Sequence, residues 1–205
     1  MSISATRVNE IPTYRDDGWC GLFLGRFTAG AVPPLLPALA GMVVTGVLVL
    51  AGLATLPGLT LFAPVIALLF AGVGSSSAHD GRLDWLVPPL LRVTEYLFIA
   101  ALGLGAGVAS PLVYALLGAI IFHHYDLVYR TRQGNRPPEW LTRAALGWDG
   151  RMLLIALAGL FDWLPFAYGV LAGYLWLLFA WESTTSWLAT PRDGDKAVDL
   201  EEEAV

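Results

Sequence analysis

The sequence predicts an all-α integral membrane bundle of six transmembrane helices with both termini in the cytoplasm, and three observations carry that prediction. Only 14% of the residues are charged and 56% are hydrophobic, with a mean hydropathy of +0.62. About a quarter of a soluble domain is charged, so this apolar excess needs lipid as its solvent. Six apolar runs, at 32–53, 56–74, 86–106, 111–129, 145–163 and 166–187, each approach the roughly 20 residues that cross the hydrocarbon core. All 12 Lys and Arg fall toward one side of such a bundle, and basic residues in short loops stay cytoplasmic.

Each element follows in order. Residues 1–31 form a cytoplasmic or interfacial segment with no apolar core leading to a small-residue cleavage site, so the mature chain is expected to start at Met1. Within it Trp19, Leu22, Phe23 and Phe27 fall near helical spacing, punctuated by Asp16, Asp17 and Arg26, which reads as a short amphipathic helix lying on the membrane. Gly21 and Gly25 offer a second reading, close helix packing. Residues 32–187 form the membrane domain. The connections "TLPG", "GVAS" and "DWLP" are clipped and face outside, whereas "SSSAHDGRLD" and "RTRQGNRPPEW" are longer, polar and inside. Ser110 followed by Pro111 reads as a capped helix start, and Pro165 divides the fifth run from the sixth. Trp85, Trp148, Trp181 and Trp187 are expected in an inner interfacial belt and Trp163 in an outer one. Residues 188–205 make an acidic disordered tail. The net charge of -5 gives no reason to expect nucleic acid, and the single cysteine, Cys20, excludes an intrachain disulfide.

The informative feature is a layer of charge at one depth. In "GAIIFHHYDLVYRTRQGNRPPEW", at a rise of about 1.5 Å per residue, His123 sits roughly 9 Å inside the cytoplasmic boundary. His123, Asp126 and Arg130 share a helix face. Arg92 and Glu95 on the third run, Asp149 and Arg151 on the fifth and Glu182 on the sixth recur at the same depth. Charge inside a bilayer is expensive and normally faces the bundle interior or water, so four helices would build a polar chamber open to the cytoplasm. Asp126, Asp149 and Glu182 are hard oxygen ligands suited to Mg²⁺. Arg92, Arg130 and Arg151 suit phosphate oxygens, with Glu95, Tyr125 and Tyr129 completing the substrate-binding set. His123 and His124, beside Asp126 and Asp149, are the catalytic candidates, an imidazole relaying a proton near neutral pH. The competing reading is structural: Asp126 with Arg130 and Arg92 with Glu95 can neutralise each other, while His124 and Tyr125 serve as interfacial anchors. No HExxH, GxSxG, P-loop or dinucleotide fingerprint is present.

The strings "YRDDG", "HDGRLDWLVPPLLRVTEYLF", "HHYDLVYRTRQG", "PPEWLTRAALGWDGRMLL" and "WES", spread over residues 14–188, resemble an actinobacterial membrane family of unknown function. That family is best known as the carboxyl-terminal module of fusion proteins carrying a CDP-alcohol phosphotransferase domain. The resemblance implies a setting in phospho-alcohol or cell-envelope lipid synthesis and, because this chain stands alone, a phosphotransferase partner in trans. The chain itself lacks the phosphotransferase signature, since Leu146 stands where its first aspartate belongs. Three functions follow as expectations: an inner-membrane enzyme on a phosphate- or diphosphate-bearing lipid or alcohol, a non-catalytic lipid-binding scaffold, and a small transporter. Glycine- and alanine-rich stretches such as "ALGLGAGVAS" also suit helix association, which leaves a homo-oligomer open.

Overall fold

A computed structural model describes residues 11–28, 30–54, 57–134 and 137–189, all of whose regular structure is helical. Residues 1–10 and the tail beyond 189 lie outside the described residues, as does the side chain of Trp187. Two short helices lead the chain, α1 (Ile11–Tyr14) and α2 (Trp19–Thr28). The bundle then comprises α3 (Leu35–Ala54), α4 (Ala63–Ala71), α5 (Val87–Gly105), α6 (Ser110–Arg132), the short α7 (Glu139–Ala144), α8 (Gly147–Leu160) and α9 (Leu164–Ala189).

Every apolar run folds as helix, but not all reach the same length. Four helical stretches, Leu35–Leu53, Asp84–Gly105, Ser110–Arg132 and Leu164–Ser186, are long and apolar enough to cross a membrane, which marks the chain as a membrane protein. The second run instead opens as a 3-10 helix (Pro57–Phe62), continues as α4 and closes in another 3-10 turn (Gly72–Gly74). Pro64, in the first turn of α4, explains the break, since proline withholds an N–H and crowds the preceding turn. The fifth run starts late because Leu146 and Gly147 take left-handed backbone at φ 69° and 65°. Its helix has 14 residues, about 21 Å.

The turns at the far end are compact. After α5, Val108 N–H bonds Gly103 C=O at 2.9 Å and Gly107 N–H bonds Leu104 C=O at 3.2 Å, with Gly107 at φ 75°. After α8 the same pattern recurs with Asp162 at φ 57° in the left-handed position. Both are Schellman closures that satisfy the last carbonyls of a helix. Ser110 is the first helical residue, not the cap; Ala109 takes that place and makes no side-chain cap bond.

The core is apolar where α3, α4 and α5 pack together and where α6 lies against α9. Phe98, Ile99, Val113, Leu116, Ile120, Met152, Ile155 and Leu175 are fully buried. Tyr168 is buried with them and donates its hydroxyl to Ile99 C=O at 2.6 Å. Outward faces carry Leu36, Val43, Val47, Leu50, Leu157 and Leu177, the surface expected toward lipid. Trp85, Trp163 and Trp181 are exposed, but Trp148 is buried and so does not belong to the interfacial belt.

Candidate functional site

The charged residues gather at the end of the bundle where α5 and α8 begin and α6 and α9 finish. What organises them is residues 11–28. This segment exposes Trp19, Leu22, Phe23 and Phe27 as an amphipathic helix should, yet it inserts Arg15, Asp16 and Asp17 fully into the bundle. Gly25 packs so closely on Ser75 and Ser76 that an added Cβ would collide with them. The segment is a plug and not only a surface anchor.

Asp16 is held at φ 53°, a left-handed conformation that aspartate tolerates better than most residues. Its backbone oxygen accepts from Trp148 N–H at 3.1 Å. Its carboxylate accepts from Arg151 Nη2 at 2.7 Å and faces His123 Nε2 at 3.2 Å and His124 Nε2 at 3.3 Å. Arg151 in turn forks onto Glu95, with Nε to Oε1 at 2.6 Å and Nη2 to Oε2 at 3.1 Å, and donates Nη1 to Ala145 C=O at 3.0 Å. His124 Nδ1 meets Tyr96 Oη at 2.6 Å, and His123 stacks on Phe179 with centroids 4.4 Å apart. Two carboxylates thus share one guanidinium. Burial alone would raise the Asp16 carboxyl, but Arg151, His123 and His124 hold it well below the usual carboxylate range.

A second layer of contacts locks the segment. Arg15 Nε donates to Asp17 at 2.6 Å and Nη2 to Ala71 C=O at 3.0 Å, and Trp148 Nε1 donates to Asp17 at 2.9 Å. Asp149 accepts from the backbone N–H groups of Gly18 and Gly21, the latter at 2.8 Å. These are the donors a capping box would satisfy at the start of α2, here served by a carboxylate from another helix. Gly147 has no room for a Cβ because the backbone of Gly18 lies against it.

Asp126 belongs elsewhere. Arg130 Nε binds Asp126 at 3.0 Å, and its Nη atoms reach Glu182 at 2.6 Å, Ser186 at 3.0 Å and Ser183 at 3.3 Å. The carboxylates expected to share Mg²⁺ are therefore divided: Asp126 and Glu182 meet on Arg130, and Asp149 caps α2. Among the described residues no three His, Cys, Asp or Glu side chains are placed to hold a metal ion. The donor set does not fit Mg²⁺, because each of these carboxylates already receives a guanidinium or backbone N–H groups. Of the other expected site residues, Glu95, His123, His124 and Arg151 come together. Tyr125 and Tyr129 stack on each other at 6.1 Å on the exposed side of α6. Arg92 does not pair with Glu95 by a hydrogen bond; its Nη2 reaches Tyr14 C=O at 3.4 Å.

Arg92 also lines a cavity of about 690 Å³ with Ile11, Tyr14, Trp85, Val128 and Arg132, walled further by Pro88 and Pro89. Among the described residues no carboxylate lines it, and Arg92 Nε is buried without a hydrogen-bond partner. Asp16, Glu95 and Tyr96 lie within electrostatic reach of Arg92, so the cavity adjoins the ionic cluster. Sequence reasoning missed Asp16, Tyr96 and Arg132 as site residues. The signal for Asp16 was the charge density of "YRDD" in a chain that otherwise avoids charge.

These features define a class: an all-helical membrane protein whose amino-terminal segment closes a buried ionic cluster at one end of the bundle. The chain belongs to a family of unknown function, DUF5941, whose model matches residues 12–204. No curated protein and no solved structure matches it significantly.

Proposed function

We propose that this chain is a non-catalytic module of the inner membrane that binds the phosphate-bearing headgroup of a lipid or lipid-linked alcohol from the cytoplasmic side. The observation that carries the reading is the cavity of Arg92 and Arg132: two guanidiniums, no carboxylate among the described residues of its walls, and one buried guanidinium N–H left over. A buried unsatisfied donor costs about 1–3 kcal/mol, which a phosphate oxygen would recover. Trp85, Ile11 and the two prolines supply an apolar rim for the first carbons below a headgroup. The excess of basic residues at this end supports a cytoplasmic location. The resemblance to modules fused to CDP-alcohol phosphotransferases supports a partner of that class in trans, to which the module would present or from which it would receive lipid.

The experiment is lipid mass spectrometry on protein extracted in mild detergent. A phosphate-bearing lipid should copurify with the wild type and be depleted on the order of tenfold or more in Arg92→Gln/Arg132→Gln, as expected for loss of charge-assisted hydrogen bonds. Equal retention by both proteins would refute the assignment.

One observation favours a second reading, an enzyme acting on the same headgroup. The Tyr96–His124 pair at 2.6 Å could move a proton beside the Arg92 cavity. Turnover of a phosphate-bearing lipid that is abolished in His124→Gln while binding persists would decide for it.

A further inference from the structure

Taking the Arg92 cavity as the headgroup site, we propose that residues 11–17 form a strap over it, that the Asp16 carboxylate fastens the strap, and that lipid binding and fastening reinforce each other. Ile11 and Tyr14 of this segment line the cavity, and Arg92 Nη2 reaches Tyr14 C=O at 3.4 Å. Asp16, two residues further on, is not one of its walls. It is gripped from outside the segment by Arg151, His123 and His124 at its carboxylate and by Trp148 N–H at its backbone oxygen. Asp16 thus sets the position of the wall without touching what the wall encloses.

What makes the strap separable is how the ion pairs divide. Arg15 pairs with Asp17 inside the segment, and Arg151 forks onto Glu95 inside the bundle. Both pairs persist if the strap lifts. Among the described residues, Asp16 alone carries ion pairs from the segment to the bundle. The other side-chain fastenings are hydrogen bonds, from Arg15 Nη2 to Ala71 C=O and from Trp148 Nε1 to Asp17. Ile11 is the one buried apolar side chain of residues 11–17, and a segment held by polar contacts opens locally before an apolar core does. The left-handed backbone of Asp16 adds strain that lasts only while its contacts over-determine it. Motion stops at α2, whose first N–H groups are capped by Asp149 and whose Gly25 packs on Ser75 and Ser76. A headgroup that touches Ile11 and Tyr14 favours the seated strap, and by reciprocity the seated strap favours the headgroup.

The test uses the full chain in detergent with short-chain phosphatidic acid as the probe, binding read by titration calorimetry and opening by backbone hydrogen exchange. The Arg15 and Asp16 amides, bonded to Ile11 and Thr13 C=O, report on the strap. In the wild type, saturating probe should slow their exchange by on the order of tenfold, a typical coupling between sites, and leave the buried Ile120 amide of α6 unchanged. Asp16→Asn removes the carboxylate and keeps a residue that tolerates left-handed backbone. It should weaken probe binding by a similar factor and speed exchange at the two amides when no probe is present. The sign is the discriminating point: Asp16 lies within electrostatic reach of Arg92, so by charge alone its removal would tighten the binding of an anion. Tighter or unchanged binding in Asp16→Asn would overturn the strap. So would wild-type exchange at Arg15 and Asp16 that stays the same while the probe binds, a measurement that needs no variant. Probe that does not bind the wild type, or binds Arg92→Gln/Arg132→Gln equally well, would strike the headgroup cavity and the coupling with it. Binding that needs the two arginines and ignores Asp16 would strike the strap alone.

Discussion

Two ionic clusters sit at the same end of the bundle and are built from the same residue types, yet they differ in how they meet water. Around Asp16, every ion-paired side chain is at most 4% exposed, and the partners come from positions 29 to 135 residues apart in sequence. Around Arg130, one partner is four residues away, and the Arg130 and Asp126 side chains are 11% and 17% exposed. A charge that loses its partner beside water can be rehydrated, while one sealed between helices cannot. The first cluster is therefore a fastening on which residues 11–28 depend. The second, in which Arg130 also holds the buried Glu182, is adjustable on its Asp126 side at the rim.

The sharpest way to break this comparison is Arg151→Leu. It strands two buried carboxylates, Asp16 and Glu95, and should cost about 3–5 kcal/mol, seen as loss of the folded species in size exclusion and thermal unfolding in detergent. A cost no greater than that of Asp126→Asn would erase the distinction between the clusters. Asp149→Ala comes next. It removes the cap on α2 supplied by α8 and should cost about 1–2 kcal/mol, with faster hydrogen exchange at Gly18 and Gly21 and little change at α6. Asp126→Asn should cost under about 1 kcal/mol, because Arg130 keeps Glu182 and two serines; denaturant midpoints in detergent would measure it.

The smallest effect concerns His79, buried in the loop before α5. Neither imidazole nitrogen makes a well-formed hydrogen bond, beyond a weak backbone interaction with Ser77. Burial first and Arg15 second push its pKa below 6.5, against the opposing pull of Asp84 and Asp17. The unfolded chain then binds the proton more readily, so stability should fall as pH drops below about 6.5. The Asp16 contribution has the other form: present above the ordinary carboxylate pKa and lost only in stronger acid, below it. His79→Leu should flatten the slope between pH 6.5 and 5 in thermal unfolding. An unchanged slope would show that His79 is not its source.

How much was legible in the sequence follows the same division. Helical periodicity put Asp126 and Arg130 on one face, and they do pair, because an i, i+4 contact is a property of one helix. Periodicity also turned Glu95, His123 and Arg151 inward at a common depth. It could not say that Glu95 would turn from its local neighbour Arg92 to Arg151, since that choice depends on which helices become neighbours. Asp16 was read as a surface residue because its burial rests on a loop in left-handed backbone that carries no periodic signal. Trp148 looked like an interfacial anchor for a related reason: its position at a helix start is what such anchors share, and only the packing of "YRDDG" against α8 supplies Asp17 for its indole N–H.

The shortness of α8 has a consequence for the bilayer itself. Fourteen residues give a hydrophobic length of about 21 Å, against roughly 30 Å of hydrocarbon, while Leu154, Leu157 and Leu160 remain exposed along it. Were α8 to cross the bilayer, the acyl chains on this flank would have to compress to match it, at a fraction of a kcal/mol per ångström. A margin of thinned membrane on one side would follow. A headgroup approaching along such a margin would begin closer to the bilayer midplane than its neighbours in the bulk leaflet, with part of its descent already accomplished by the deformation of the lipid around α8.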